Sequence, residues 1–251
     1  MVHFVGAGPG ATDLITVRGR DLLRRADLVV YAGSLVNPEL LKKCKSGCQL
    51  HNSAKMTLNE VVSLLIAGER NGCEVVRLHT GEPSLYGAIR EQMALLEAAG
   101  VPYDVTPGVS SFSAAAAALG AEYTLPGVSQ TVILTRCAGR TPVPEGEALS
   151  ALAAHGSTLV LFLSTGLSRQ VQAELLAAGL DPDTPAAVVY KASWPEEQVL
   201  RCTVGTLAQT VEESGIRNTA LLTVGRFLDG GGERSKLYDP GFAHGWREKK
   251  T

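Results

Sequence analysis

Three glycine-containing segments stand out as places where this 251-residue chain could hold a small molecule: Gly6-Ala7-Gly8-Pro9-Gly10, Thr80-Gly81-Glu82-Pro83-Ser84-Leu85-Tyr86-Gly87 and Pro107-Gly108-Val109-Ser110-Ser111. Each follows a short apolar run. Glycine lets backbone approach a ligand closely and present N–H and C=O groups as polar contacts, without a metal or a charged cradle. Taken alone, the first segment invites comparison with the dinucleotide fingerprint Gly-x-Gly-x-x-Gly, but its glycines alternate and Pro9 removes an N–H that a phosphate cradle would use. The nearest acidic residue, Asp27, precedes the next apolar run instead of ending it, so a nicotinamide or flavin dinucleotide is disfavoured. A tight strand-to-helix connection without any ligand stays open for this loop by itself. All three loops together read as one rim at the carboxyl ends of strands, the edge where open α/β sheets bind ligands.

Other reactive side chains are sparse. Cysteines at 44, 48, 73, 137 and 202 are odd in number and scattered, which fits reduced thiols better than a disulfide framework. Cys44-x3-Cys48-x2-His51 offers three metal ligands with no matching second pair, so no metal is expected. His51, His79 and His155 are isolated, and no general base is assigned.

The elements that must position these loops follow from periodicity. Strands are predicted at Val2–Val5, Leu28–Tyr31, Val75–Leu78 and Tyr103–Thr106. Helical stripes run from Leu14 and Val17 to Leu22-Leu23, through Leu58, Val61, Val62, Leu65 and Ile66, and through Ile89, Met93 and Leu96. Thr57 and Glu60 form a capping box, and Ser110–Leu119 reads as an alanine-rich helix. After a break at Gly120–Gly127, strands are predicted at Thr131–Leu134, Thr158–Leu163, Ala186–Tyr190, Val199–Val204 and Thr219–Val224, with helices at Glu147–His155, Leu167–Ala178 and Thr206–Ser214. Lys191–Gln198 carries no helical stripe and suits a hairpin, so the second sheet should be mixed. The expected organisation is an α/β chain with an N-terminal domain over 1–122, a C-terminal α/β domain over 123–228 and an extension over 229–251. In that extension Leu237, Tyr238, Phe242 and Trp246 are expected to bury themselves on the body or on a second subunit.

Composition bounds the setting. A net charge of −2 and a pI near 6.2 give no global attraction to phosphate backbones, and no basic patch is evident, so no nucleic-acid partner is expected. The apolar runs are too short to span a bilayer, and the N-terminus lacks a signal-peptide pattern; no membrane association and a cytoplasmic location are expected.

The three loops, in this order, resemble the tetrapyrrole methylases that use S-adenosylmethionine, whose loops read Gly-x-Gly-Pro-Gly, Gly-Asp-Pro and Pro-Gly-Val or Pro-Gly-Ile followed by small hydroxyl residues. The resemblance covers essentially the whole chain. Tyr31–Glu39, Ser84–Gln92, Leu134–Arg136 leading to Gly139–Pro144, and Ser235–Asp239 are similar to one corrin-forming branch, which methylates precorrin-4 or its cobalt form at C-11. The resemblance implies a homodimer of two α/β domains with the cofactor in the cleft between them. It implies cofactor contacts at Pro9, Thr80, Gly81, Glu82, Leu85, Ser110 and Ser111, and at Leu163, Ala192 and Ala220. Glu82 departs from the family aspartate by one methylene.

A tetrapyrrole carries several acetate and propionate groups, which call for guanidinium or ammonium donors. Arg136 and Arg140 are the leading candidates, against the alternative of a solvated surface pair; Arg90, Lys191 and Arg226 are weaker ones. Tyr86 packs either against the macrocycle or in the core. Methylation at another tetrapyrrole position, an RNA or protein methylase of the same fold, and a non-catalytic corrinoid carrier are the competing readings.

Overall fold

The computed structural model describes residues 1–239, 241–245 and 247–248. It divides into two compact units, one of Met1–Ala115 with Lys191–Glu197, the other of Ala116–Tyr190 with the chain from Gln198 onward.

The first unit is a three-layer α/β sandwich. Its strands are β1 (Val2–Gly6), β2 (Leu28–Tyr31), β3 (Gln49–Asn52), β4 (Val75–His79) and β5 (Tyr103–Thr106), all parallel, in the order β3-β2-β4-β1-β5. Helices α1 (Val17–Arg25), α2 (Leu58–Arg70) and α3 (Ile89–Ala98) connect them, and α4 (Ser111–Leu119) follows β5. Alternation along the strands sorts the core: Val5, Val29, Val76 and Leu78 pack with Leu22 and Leu23 of α1, whereas Val2, Phe4, Val30 and Val75 pack with Val61, Val62 and Leu65 of α2 and Leu96 of α3. The Thr57–Glu60 capping box starts α2 as the sequence indicates, with the Thr57 N–H donating to the Glu60 carboxylate at 2.7 Å.

The sheet order fixes where a ligand can sit. β1 connects through α1 to β2 on one side, while β4 connects through α3 to β5 on the other side of β1. The two neighbouring strands therefore send their connections in opposite directions, and the crevice beyond their carboxyl ends is a topological switch point. The first two glycine loops leave β1 and β4 at that crevice.

The second unit carries a mixed sheet, as expected from the hairpin reading. β6 (Val132–Arg136) and β7 (Thr158–Phe162) are parallel; β10 (Ala220–Val224), β8 (Pro185–Tyr190) and β9 (Gln198–Thr203) complete the order β6-β7-β10-β8-β9 with antiparallel pairings. Helices α5 (Leu149–Ala153), α6 (Ser168–Ala177) and α7 (Leu207–Ser214) cover one face through Leu149, Val171, Leu175, Leu207 and Val211. α5 is shorter than Glu147–His155, because left-handed Gly146 and Gly156 bracket it and Ala148 supplies no side-chain cap. Among the described residues no helix is long and apolar enough to cross a membrane. In the extension Leu237, Tyr238 and Phe242 are 48%, 80% and 41% exposed, so they do not bury themselves on the body of this chain. Trp246 lies outside the described residues.

Candidate functional site

The three loops of the first unit interlock through their glycines. Gly8 and Gly81 form an antiparallel bridge, Gly81 N–H donating to the Gly8 carbonyl at 2.9 Å and Gly8 N–H to the Gly81 carbonyl at 3.3 Å. A Cβ on Gly108 would lie 2.1 Å from the Gly81 oxygen, and one on Gly6 would lie 2.5 Å from the Gly108 Cα. Only glycine permits this approach of three backbones, which answers why the residue recurs in each loop.

Polar side chains then fix the rim. Both oxygens of Glu82 are engaged: one accepts from the Ser84 N–H at 2.9 Å, the other from the Gly108 N–H at 2.8 Å. The carboxylate thus ties the second loop to the third. The first loop is clasped by Asn37, whose amide donates to the Gly10 carbonyl at 2.8 Å, and by the segment between β8 and β9. There the Trp194 indole donates to the Pro9 carbonyl at 2.8 Å and lies against Gly10, and the Ser193 hydroxyl accepts from the Ala11 N–H at 3.0 Å. Ala192, expected as a contact from the second domain, sits on this segment and groups with the first unit.

One polar atom at the rim is left over. The Thr80 hydroxyl, directly after β4, is buried without a hydrogen-bond partner. A buried hydroxyl without a partner costs about 1–3 kcal/mol, an arrangement that a bound polar ligand relieves. Pro9 and Ser110 are buried, while Leu85 and Ser111 are partly exposed beside them in sequence and loop. Tyr86 is 45% exposed, so it is not a core residue.

In the second unit Arg136, Arg140, Thr141, Leu163 and Leu167 line a cavity of about 390 Å³. The Arg136 guanidinium donates to the carbonyls of Thr141 at 3.1 Å and of Pro142, so it shapes its own loop as well as lining the cavity. Arg140 is exposed on that loop. Ser164, fully buried, joins the loop to β7 by accepting from the Cys137 N–H at 2.8 Å and donating to the Phe162 carbonyl at 2.7 Å. Leu163 is 68% exposed and sits at φ +53°, an arrangement that neither packing nor backbone preference favours. Ala220 is buried, with its carbonyl accepting from Thr165 at 3.0 Å. The weaker cationic candidates are paired elsewhere: Arg90 with Glu97 at 2.9 Å, Lys191 with Glu196 at 3.3 Å and Arg226 with Asp229 at 3.7 Å.

Backbone strain marks the same places. Among the described residues, the non-glycine ones with left-handed φ are Tyr86, Ala88, Leu163, Lys191, Ser193 and Thr219. Each lies within three residues of Leu85, Leu163, Ala192 or Ala220. Such conformations cost about 1–3 kcal/mol each and persist where surrounding structure enforces them, most often at ligand sites.

Trp194, Ser193 and Asn37 clasp the first loop and Ser164 braces the loop after β6, supports that motif reading passes over. Trp194 carried a usable signal, a large aromatic in a hairpin turn with no stripe to bury it. The cysteine cluster takes no part in the rim. Burial pushes the Cys44 thiol up to about 12, and among the described residues no three His, Cys, Asp or Glu side chains converge as metal ligands. His79 is buried, with its Nε2 unpartnered, and burial together with neighbouring Arg77 lowers its pKa to about 3.

Comparisons with known proteins place the chain in a family. The family model for tetrapyrrole (corrin/porphyrin) methylases matches residues 1–208. The chain is 49% identical to a cobalt-precorrin-4 C(11)-methyltransferase of Priestia megaterium, over 98% of this chain and 97% of that one. It superposes on a solved cobalt precorrin-4 methyltransferase with a TM-score of 0.89 at 50% identity, covering 91% of this chain and 95% of that one. A uroporphyrin-III C-methyl transferase from Thermus thermophilus, solved in complex with S-adenyl homocysteine, matches with a TM-score of 0.77 at 29% identity over 93% and 95% of the two chains. With most of its length matched by the family model, and near-half identity to a full-length relative, the chain belongs to the tetrapyrrole (corrin/porphyrin) methylases.

Proposed function

We propose that the chain is an S-adenosylmethionine-dependent C-methyltransferase that acts on precorrin-4 or cobalt-precorrin-4 at C-11 during corrin-ring formation. Family membership and the named relatives support the reaction and its substrate. The single observation that carries the placement of the cofactor is the confinement of non-glycine left-handed backbone to the neighbourhoods of the proposed contacts. Those contacts are Pro9, Thr80, Gly81, Leu85, Ser110, Ser111 and Ala192 in the first unit, and Leu163 and Ala220 in the second. Glu82 serves here as the anchor of the rim rather than as a direct contact.

The residues fit the group. S-adenosylmethionine supplies an electrophilic methyl on a sulfonium. Thr80 offers an unsatisfied hydroxyl, the glycine loops offer backbone groups at close range, and Leu85, Leu163, Ala192 and Ala220 offer apolar surface. The task of the protein is positioning, which contributes about 7–11 kcal/mol when reacting atoms are held near contact. Because positive charge on sulfur fades in the transition state, a carboxylate on the sulfur would favour the ground state. Both Glu82 oxygens are held by backbone N–H groups, which agrees with that requirement. Arg140 and Arg136, which line one cavity, supply the positive charge for peripheral carboxylates of the macrocycle, and Tyr86 a face for its ring.

We also infer a homodimer, covering exposed Leu237, Tyr238 and Phe242, and a cytoplasmic protein that binds neither nucleic acid nor membrane; the charge of −2 and the apolar tail support this reading. The placement of the cofactor is tested by calorimetric titration with S-adenosylmethionine: Thr80→Ala and Leu85→Ala should each weaken binding with melting temperature preserved. Parent-like affinity in both variants would remove the second loop from the site.

A further inference from the structure

Arg77 is out of place in its strand. β4 lies between β2 and β1, and its neighbours in the strand are Val75, Val76 and Leu78, yet Arg77 is only 6% exposed. Burial lowers its pKa to about 10, so it remains a cation at neutral pH, and among the described residues it forms no ion pair. A buried, unpaired cation is destabilising by several kcal/mol relative to an apolar side chain, so a strand that only needed to pack would not use one. Its donors instead go to neutral oxygens: Nη1 to the Val30 carbonyl and the Ser53 hydroxyl, both at 3.2 Å, and Nε to Oε1 of Gln92 at 3.0 Å.

The contact with Gln92 has a directional consequence. A guanidinium has only donors, so the oxygen of the Gln92 amide must face Arg77 and its NH2 must face the other way. That NH2 donates to the Ala88 carbonyl at 3.1 Å. Ala88 ends the second loop at φ +49°, two residues after Tyr86 at φ +56°, and provides no side-chain cap for α3. Between them a Cβ on Gly87 would strike the Pro83 oxygen at 2.1 Å, so the loop has one tight shape, and the Gln92 amide one turn on holds its end at Ala88.

We propose that Arg77 and Gln92 form a buried positioning relay that holds the second loop in its strained, cofactor-receiving conformation. Ser53 and Val30 fix the guanidinium, the guanidinium fixes the Gln92 amide, and the amide fixes Ala88. The strain in Tyr86 and Ala88 is then offset by a side-chain hydrogen bond within one helical turn, whose donor is turned toward Ala88 by the tertiary contact between Arg77 and Gln92. The proposal rests on the reading that the second loop contacts S-adenosylmethionine.

The test uses Gln92→Glu. This variant keeps an acceptor for Arg77 Nε and places a counter-ion beside the buried cation, but removes the donor to Ala88 and sets an oxygen against its carbonyl. The full-length protein is titrated with S-adenosylmethionine, melted, and assayed for methyl transfer with varied donor. The relay predicts a Kd and a donor KM raised about tenfold, kcat within about twofold, and a melting temperature within about 2 °C of the parent. Adding Ala88→Gly, which adopts φ +49° without strain, should restore affinity to within about threefold. A parent-like Kd in Gln92→Glu alongside a weakened Leu85→Ala overturns the relay alone. A parent-like Kd in Leu85→Ala and Thr80→Ala overturns the underlying reading of the loop and the relay with it. A fall in melting temperature that accounts for the lost affinity, with no rescue by Ala88→Gly, overturns the relay in favour of plain packing.

Discussion

Removing the Glu82 carboxylate separates two roles that the residue type alone leaves entangled. In the structure its oxygens accept from the N–H groups of Ser84 at 2.9 Å and Gly108 at 2.8 Å. The Gly108 bond is partly buried, where the backbones of Gly6, Gly81 and Gly108 press together. A bond from such a donor to a charged acceptor contributes about 1.5–3 kcal/mol, while the exposed Ser84 bond contributes about 0.5 kcal/mol. Glu82→Ala should therefore lose about 2–3.5 kcal/mol and lower the melting temperature by about 4–14 °C for a chain of this size. Because the rim loosens with it, the Kd for S-adenosylmethionine should rise at least about tenfold. Glu82→Asp, one methylene shorter, should keep one of the two bonds and fall about midway. Thermal unfolding and calorimetric titration on the same samples decide the matter. A melting temperature within about 1 °C of the parent would refute the anchoring argument, and lost affinity without lost stability would mean that the carboxylate touches the cofactor directly.

Other expectations follow from the same geometry. Trp194→Phe retains an aromatic against Gly10 but loses the indole donor to the Pro9 carbonyl, so donor affinity should fall about threefold to tenfold, read by calorimetry, with far-ultraviolet circular dichroism unchanged. Arg140→Gln should raise the KM for the tetrapyrrole about tenfold or more and leave the Kd for the methyl donor alone, measured by steady-state kinetics and titration; Arg136→Gln should in addition loosen the 137–142 loop, seen as faster amide exchange there. Stability should depend on pH through His79. Its folded pKa of about 3, depressed by burial and Arg77, lies below the unfolded value near 6.5. The unfolded chain therefore binds an extra proton between those limits, and stability is present above about pH 6.5 and is lost as pH falls toward 3, by up to about 1.4 kcal/mol per unit. Urea midpoints at pH 5 and 7.5 should differ less in His79→Gln than in the parent; an equal difference would remove His79 as the source.

Much of the scaffold was legible because the inner strands β1, β2 and β4 are buried almost throughout and its helices carry clean stripes. Leu28–Tyr31 and Tyr103–Thr106 appear with the expected limits, and Thr57 with Glu60 starts α2 as read. β3 escaped notice because Gln49–Asn52 is an edge strand without an apolar face, recognisable only by its pairing with β2. The glycine rim was legible as a rim, since glycine recurs wherever backbones must touch. Its supports were not. The resemblance implies a cofactor contact at Glu82, and its bonds to the Ser84 and Gly108 N–H groups show only once the loops are folded together. Arg136 reads as a donor to substrate carboxylates or as one of a solvated surface pair, while its bonds to Thr141 and Pro142 depend on the curl of the following loop. Arg77 drew no notice inside the apolar Val75–Leu78 run, and its partners lie 15 to 47 residues away in sequence.

Transfer of isotope-labelled methyl from S-adenosylmethionine is the most direct test of the account. Purified protein is incubated with the labelled donor and precorrin-4 or its cobalt form, and the labelled carbon is located by nuclear magnetic resonance. The account predicts a single new methyl on C-11, formed in step with S-adenosylhomocysteine. Label on a different ring carbon would contradict the assigned position, and no transfer to either substrate form, with the donor bound, would contradict the proposed reaction.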